Sequence, residues 1–161
     1  MSAAVVWHDV ECGSYAADLL LWRELAARAA GPVLELGSGT GRVALDLAER
    51  GHPVTAVDRE PDLLDELSRR ADAGGLAVTC VRADARSLPA LGPFALVIAP
   101  MQLLQIVGGP ADRARLLEGV AAALARGGSF AAALTALEAA VAPPGSAPPL
   151  PDVGEREGWV Y

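Results

Sequence analysis

Residues 34–44 read LELGSGTGRVA: an apolar run, glycines at 37, 39 and 41, then a helix-like stretch. Alternating glycines let a backbone turn sharply and let a ligand approach without a Cβ in the way. The preceding PVLEL (32–36) reads as a short strand. TGRVALDLAERG (40–51) reads as a helix with Val43, Leu47 and Arg50 spaced by turns. In an open parallel sheet, ligands bind beyond the carboxyl ends of the strands, where a unit of this kind sits.

The flanking chain repeats the alternation. After a short polar start, SYAADLLLWRELAARAAG (14–31) is amphipathic, with Leu21, Leu25 and Ala29 four apart and Glu24 and Arg28 spaced for an i,i+4 ion pair. HPVTAVD (52–58) is a second strand, and EPDLLDELSRRADAGG (60–75) a helix with Pro61 in its first turn. LAVTCVRAD (76–84) and PFALVIAP (93–100) supply strands three and four. GGPADRARLLEGVAAALARGG (108–128) is a helix with Leu116, Val120 and Leu124 on one face, and SFAAALTAL (129–137) starts a fifth strand. Short apolar strands alternating with amphipathic helices, without internal repeats, predict an α/β domain whose parallel sheet is covered on both faces. The domain spans about residues 1–140. Residues 141–161 carry Pro143, Pro144, Pro148, Pro149 and Pro151 and read as an extended connector that ends on the β-prone GWVY.

Hydrophobic residues make up 52% of the 161, ample for a core. The mean hydropathy of +0.32 reflects alanine and leucine. The longest apolar run, FALVIAPMQLLQIV (94–107), contains Pro100 and two glutamines and falls short of the roughly 20 residues a bilayer span needs. MSAAVVWHDVE lacks the basic start and apolar core of a secretory signal, so a cytoplasmic protein is expected. A formal charge of −7 argues against a nucleic-acid partner and tilts toward a small molecule. Two cysteines, Cys12 and Cys80, and two histidines, His8 and His52, make neither a disulfide framework nor a metal-ligand set.

Three details bear on the ligand. The dinucleotide fingerprint wants a third glycine at position 42, which is Arg42. Glu35 precedes the first glycine by two residues, and its carboxylate would repel a pyrophosphate while suiting an ammonium and a sulfonium. Asp58 follows the loop by about 20 residues at the end of the second strand, placed for ribose hydroxyls in either cofactor class.

VLELGSGTGR, VTAVD, RADAR and FALVIAP, in that order over residues 33–104, resemble the class I S-adenosylmethionine-dependent methyltransferases. The resemblance implies a Rossmann-like three-layer sandwich with strand order 3-2-1-4-5 and S-adenosylmethionine as cofactor, leaving S-adenosylhomocysteine. It implies that Glu35, Gly37, Ser38 and Gly39 line the methionine part, that Asp58 binds the ribose with Arg59 flanking it, and that Asp84 and the Ala85 N–H meet the adenine. Pro100, Met101 and Gln102 would face the transferred methyl, and Tyr15 would close over the cofactor. No residue is assigned as a general base.

Each assignment has a plainer alternative. Glu35 is then a solvated strand end, and Asp58 caps the helix near Pro61. Asp84 pairs with Arg82 or Arg86, Met101 and Gln102 are core and cap residues, and Tyr15 packs. His8, Asp9 and Glu11 read as a solvated stretch rather than an acid–base cluster, and His52 as structural.

Members of the resembled family close the sheet with an antiparallel pair of strands after the fifth, and five strands plus a connector leave the fifth strand as a bare edge. A shortened chain, a shortened gene product or an edge supplied by a second copy would each account for this, with shortening favoured. The alternatives to a methyltransferase are a non-catalytic cofactor-binding fragment or partner subunit, and an NAD-dependent oxidoreductase, which Arg42 and Glu35 disfavour.

Overall fold

The structure, a computed structural model, describes residues 2–135 and the backbone of residues 155–156 and 159–160. Its centre is β1 (Val33–Leu36), buried at all four positions because both faces of the strand are covered. Parallel neighbours are β2 (Val54–Asp58) and β4 (Phe94–Ala99), with β3 (Val78–Arg82) and β5 (Leu124–Ala132) outside them, giving the order β3-β2-β1-β4-β5. This is the expected Rossmann-like sheet.

Strand side chains alternate between two cores, as the period of two requires. Val33, Ala56, Leu96 and Ile98 face Trp22 and Ala26 of α2 (Leu19–Ala29), Val43 and Leu47 of α3 (Arg42–Glu49), and Leu64 and Leu67 of α4 (Pro61–Gly74). Leu34, Leu36, Val57, Val97 and Ala99 face Leu116 and Val120 of α6 (Pro110–Ala123). Helices thus cover both faces, and the loops after β1, β2, β3 and β4 open at one end of the sheet.

Four local expectations shift. Residues 3–12 form a helix, α1 (Ala3–Cys12), rather than a solvated stretch, since Val5 and Asp9, one turn apart, are both buried. In α2 the buried face is Trp22 and Ala26, whereas Leu21 is exposed and Leu25 and Ala29 are half-buried. The indole is the larger apolar group, and its Nε1 donates to Asp18 at 2.7 Å. The expected Glu24–Arg28 pair forms at 3.3 Å. A four-residue helix, α5 (Leu103–Ile106), follows β4. Finally, β5 begins at Leu124, not 129, because Gly128 lies where a Cβ would stand 2.9 Å from the Phe94 carbonyl oxygen. Gly128 thus allows close strand passage instead of stopping a helix.

Near the chain's end, β6 (Glu155–Arg156) and β7 (Trp159–Val160) pair antiparallel as a sheet of their own, so GWVY does contribute a strand. The expected connector otherwise lies outside the described residues. Among the described residues no helix is long and apolar enough to cross a membrane.

Candidate functional site

The glycine loop takes a left-handed backbone open to glycine and is held by hydrogen bonds. Gly37 and Gly39 adopt φ of +68° and +53°, values that side-chain-bearing residues rarely take. The N–H groups of Gly37 and Ser38 both donate to the Val57 carbonyl, at 2.8 and 3.0 Å, which seats the loop on the end of β2. Asp58 completes the hold: Oδ2 accepts from the Gly39 N–H at 2.8 Å and Oδ1 from the Glu60 N–H at 3.0 Å. It does not cap α4, whose N-cap is Glu60. Each carboxylate oxygen has further lone-pair capacity.

Beside this loop opens a cleft of about 610 Å³, within the usual range for small-molecule sites. Of the expected residues, Gly37, Asp58, Arg59, Asp84, Ala85, Pro100 and Met101 line it. Successive strand ends deliver them, since the loops after β1, β2, β3 and β4 converge here. Asp84 is held by Arg86 through its guanidinium, with Nε at 2.9 Å, and through its backbone N–H at 2.8 Å, and its carboxyl is pushed down to about 2. The surface-pairing alternative is thus realised with Arg86, and Asp84 lines the cleft at the same time. Arg59 stands at the rim, paired with Glu60 at 3.2 Å. Met101 and Gln102 both take left-handed φ, 54° and 64°, a costly backbone of the kind found at functional loops. Gln102 is the N-cap of α5 and does not line the cleft.

Glu35, Ser38 and Gly39 lie behind the cleft wall. Glu35 is 2% exposed rather than a solvated strand end, and its Oε2, like the Ser38 Oγ, is buried without a hydrogen-bond partner. Burial pushes the Glu35 carboxyl up to about 8, with Arg42 and a backbone hydrogen bond from Ala44 acting the other way. Two unpartnered buried polar atoms beneath one loop are uncommon, since such atoms are nearly always satisfied. They fit a polar, cation-bearing ligand at the loop.

Tyr15 is not brought to this cleft. It borders a separate hollow of about 280 Å³, with the Arg42 guanidinium 5.3 Å from its ring centroid. Arg42, the residue at the third-glycine position, is turned toward Asp18, with bonds of 2.6 and 2.8 Å.

The N-terminal wall is instead α1, through His8, Glu11 and Cys12. The His8 ring covers Gly39 so closely that a Cβ there would stand 2.0 Å from Nε2. His8 Nδ1 lies 3.2 Å from Thr40 Oγ1, the Thr40 hydroxyl donates to Asp9 at 2.7 Å, and Asp9 accepts from Arg70 Nη1 at 3.1 Å. The opposite wall is α5 and its flank, through Leu103, Ile106 and Val107. Sequence reasoning missed both walls; the one signal was the helical i, i+3, i+4 spacing of His8, Glu11 and Cys12.

The family described as "Methyltransferase domain" matches residues 33–128 of the chain. A demethylmenaquinone methyltransferase from Thermus thermophilus is 41% identical over 83 residues, covering 47% of this chain and 37% of that protein. Among solved structures, the CcbJ methyltransferase from Streptomyces caelestis superposes with a TM-score of 0.67 at 30% identity, over 73% of this chain and 49% of that one. The glycopeptide N-methyltransferase MtfA, solved with S-adenosyl-L-methionine, superposes at 0.65 and 30% identity, over 78% and 53%. The chain therefore spans about half the length of these structures, and less of the curated relative. With the match running from β1 into β5, the chain belongs to the methyltransferase-domain family, among the class I S-adenosylmethionine-dependent methyltransferases.

Proposed function

We propose that this chain binds S-adenosylmethionine in the cleft beside the glycine loop and transfers its methyl group to a small nucleophile. The observation that carries the reading is the pair of buried, unpartnered atoms, Glu35 Oε2 and Ser38 Oγ, under a loop tied to Asp58. A bound S-adenosylmethionine supplies an electrophilic methyl on a sulfonium. The chain's own residues bind and align: Asp58 holds the ribose hydroxyls with Arg59 beside it, and Asp84 and the Ala85 N–H address the adenine edge. Glu35, with Gly37, Ser38 and Gly39, holds the amino-acid end. Pro100 and Met101 border the place where methyl meets acceptor, with Gln102 behind them as the N-cap of α5, and α1 and α5 exclude water from it. Tyr15 stays a candidate for closing the cofactor only through movement of the α1–α2 segment.

The acceptor is a small molecule rather than nucleic acid, since the chain's charge of −7 offers no broad phosphate footprint. The small-molecule methyltransferases among its relatives are compatible with this. Calorimetric titration with S-adenosylmethionine, S-adenosylhomocysteine and NAD tests the reading. Binding of either adenosyl-sulfur compound without NAD is the expected result, and NAD alone would overturn it. A release assay for S-adenosylhomocysteine over amines, phenols and thiols separates an enzyme from a binding fragment. Pairing of two copies along the β5 edge is checked by sedimentation across a concentration series.

A further inference from the structure

We propose that His8 is the proton-accepting residue of this site, held by the chain Arg70–Asp9–Thr40 as the neutral Nδ1–H tautomer, which leaves the lone pair on Nε2. The inference rests on the methyltransferase reading for its acceptor, and on geometry for its tautomer. Asp9 accepts from two nitrogens of Arg70, Nη1 at 3.1 Å and Nη2 at 2.5 Å, and so behaves as an ionised acceptor. An ionised carboxylate cannot donate, so the bond of 2.7 Å between Asp9 and Thr40 takes the hydroxyl's proton. The Thr40 oxygen can then only accept from His8 Nδ1, 3.2 Å away. That places the imidazole proton on Nδ1 and leaves Nε2 with a free lone pair.

His8 lines the same cleft as Gly37, Pro100 and Met101, with the Nε2–Cε1 edge of its ring set against Gly39 of the glycine loop. The charged groups around it are Asp9 and Glu11 from α1, Asp58 from β2 and Arg70 from α4. Burial holds the imidazole below its usual value despite the three carboxylates, so the ring is neutral and receptive near pH 7. In the step itself, the acceptor's lone pair bonds to the methyl carbon and the carbon–sulfur bond breaks, its electron pair remaining on sulfur. The acceptor's proton passes to Nε2 and then to solvent. Asp9, Thr40 and Arg70 are positioning residues.

The chain has two histidines, so His8 can be read separately from His52. Long-range proton–nitrogen NMR on the free protein should show His8 protonated at Nδ1. Thr40→Val should move the population toward Nε2–H, and Thr40→Ser should restore it. Diethyl pyrocarbonate, which attacks an unprotonated ring nitrogen, should modify His8 with S-adenosylhomocysteine bound at a rate within threefold of the free protein. A dominant Nε2–H tautomer, or a tautomer indifferent to Thr40→Val, overturns the relay. More than tenfold protection by S-adenosylhomocysteine overturns the base role and makes His8 a cofactor contact. Failure of S-adenosylhomocysteine to bind by calorimetry sinks the underlying reading instead, and the catalytic role with it, while the tautomer result stands on its own.

Discussion

Asp58 ties the glycine loop to the start of α4, one carboxylate oxygen on each backbone N–H, so it shapes the site before any ligand arrives. Asp58→Ala is expected to weaken S-adenosylhomocysteine binding by about 1–3 kcal/mol, the value of a charged hydrogen-bonding partner. Unchanged affinity in a folded variant would count against the ribose role. Glu35 allows a sharper check. With its carboxyl pushed up to about 8 by burial, it is protonated at pH 6.5 in the free protein. A ligand ammonium beside it favours the carboxylate, so binding should expel a proton. The calorimetric binding enthalpy at pH 6.5 should then differ between buffers of small and large ionisation enthalpy, and Glu35→Gln should abolish the difference. Equal enthalpies for the wild-type chain would show that Glu35 does not partner the ammonium.

At the scale of elements, a charged contact pins α1. Asp9, 8% exposed, joins Thr40 of the loop to Arg70 of α4. Breaking a buried pair by removing one partner costs about 3–5 kcal/mol, and Arg70 keeps Glu66 at 2.7 Å, so Asp9→Ala should cost about 2–3 kcal/mol. Cleavage by protease in the exposed stretch 13–17 should accelerate with it. An unaltered denaturation midpoint and cleavage rate would show that α1 is not held this way. This helix was hidden in the sequence because its buried face is one valine and one aspartate, with no apolar stripe to read. The β1–β4 region was legible because each strand is a short, mostly apolar run and α3 and α4 carry their own apolar stripes. The expected residues that reach the cleft, Asp58, Asp84, Ala85 and Pro100 among them, follow strand ends, and strand order fixes where those ends go. Tyr15 and His8 belong to the opposite case: which side chain of an N-terminal segment meets the loop is settled by tertiary packing. Four-residue α5 is too short to carry a period at all.

For the whole molecule, paired and buried ionisable groups together set how stability depends on pH. Glu66, drawn down to about 2 by Arg69 and Arg70, and Asp84, drawn to about 2 by Arg86, contribute stability above their ordinary values of 4.5 and 3.8 and lose it as pH falls toward 2. His8, lowered from 6.5 by burial, acts in the same direction below that value. Glu35 opposes them. Its folded value of about 8 lies above the ordinary 4.5, so the folded chain binds more protons than the unfolded one in between. Stability must fall as pH rises through that window and level off above 8. Above pH 6.5 the unfolded His8 imidazole sheds its remaining proton and offsets part of the decline, while Glu35 contributes at most about 1.4 kcal/mol per pH unit. The net charge of −7 also destabilises by self-repulsion, but it changes little over this interval. Urea midpoints measured from pH 6.5 to 8 should therefore decline for the wild-type chain and not for Glu35→Gln. Saturating S-adenosylhomocysteine should flatten the wild-type curve as well, because a ligand that pairs with the carboxylate removes the cost of ionising it. Parallel declines in the wild-type and Glu35→Gln chains would place the titrating group elsewhere.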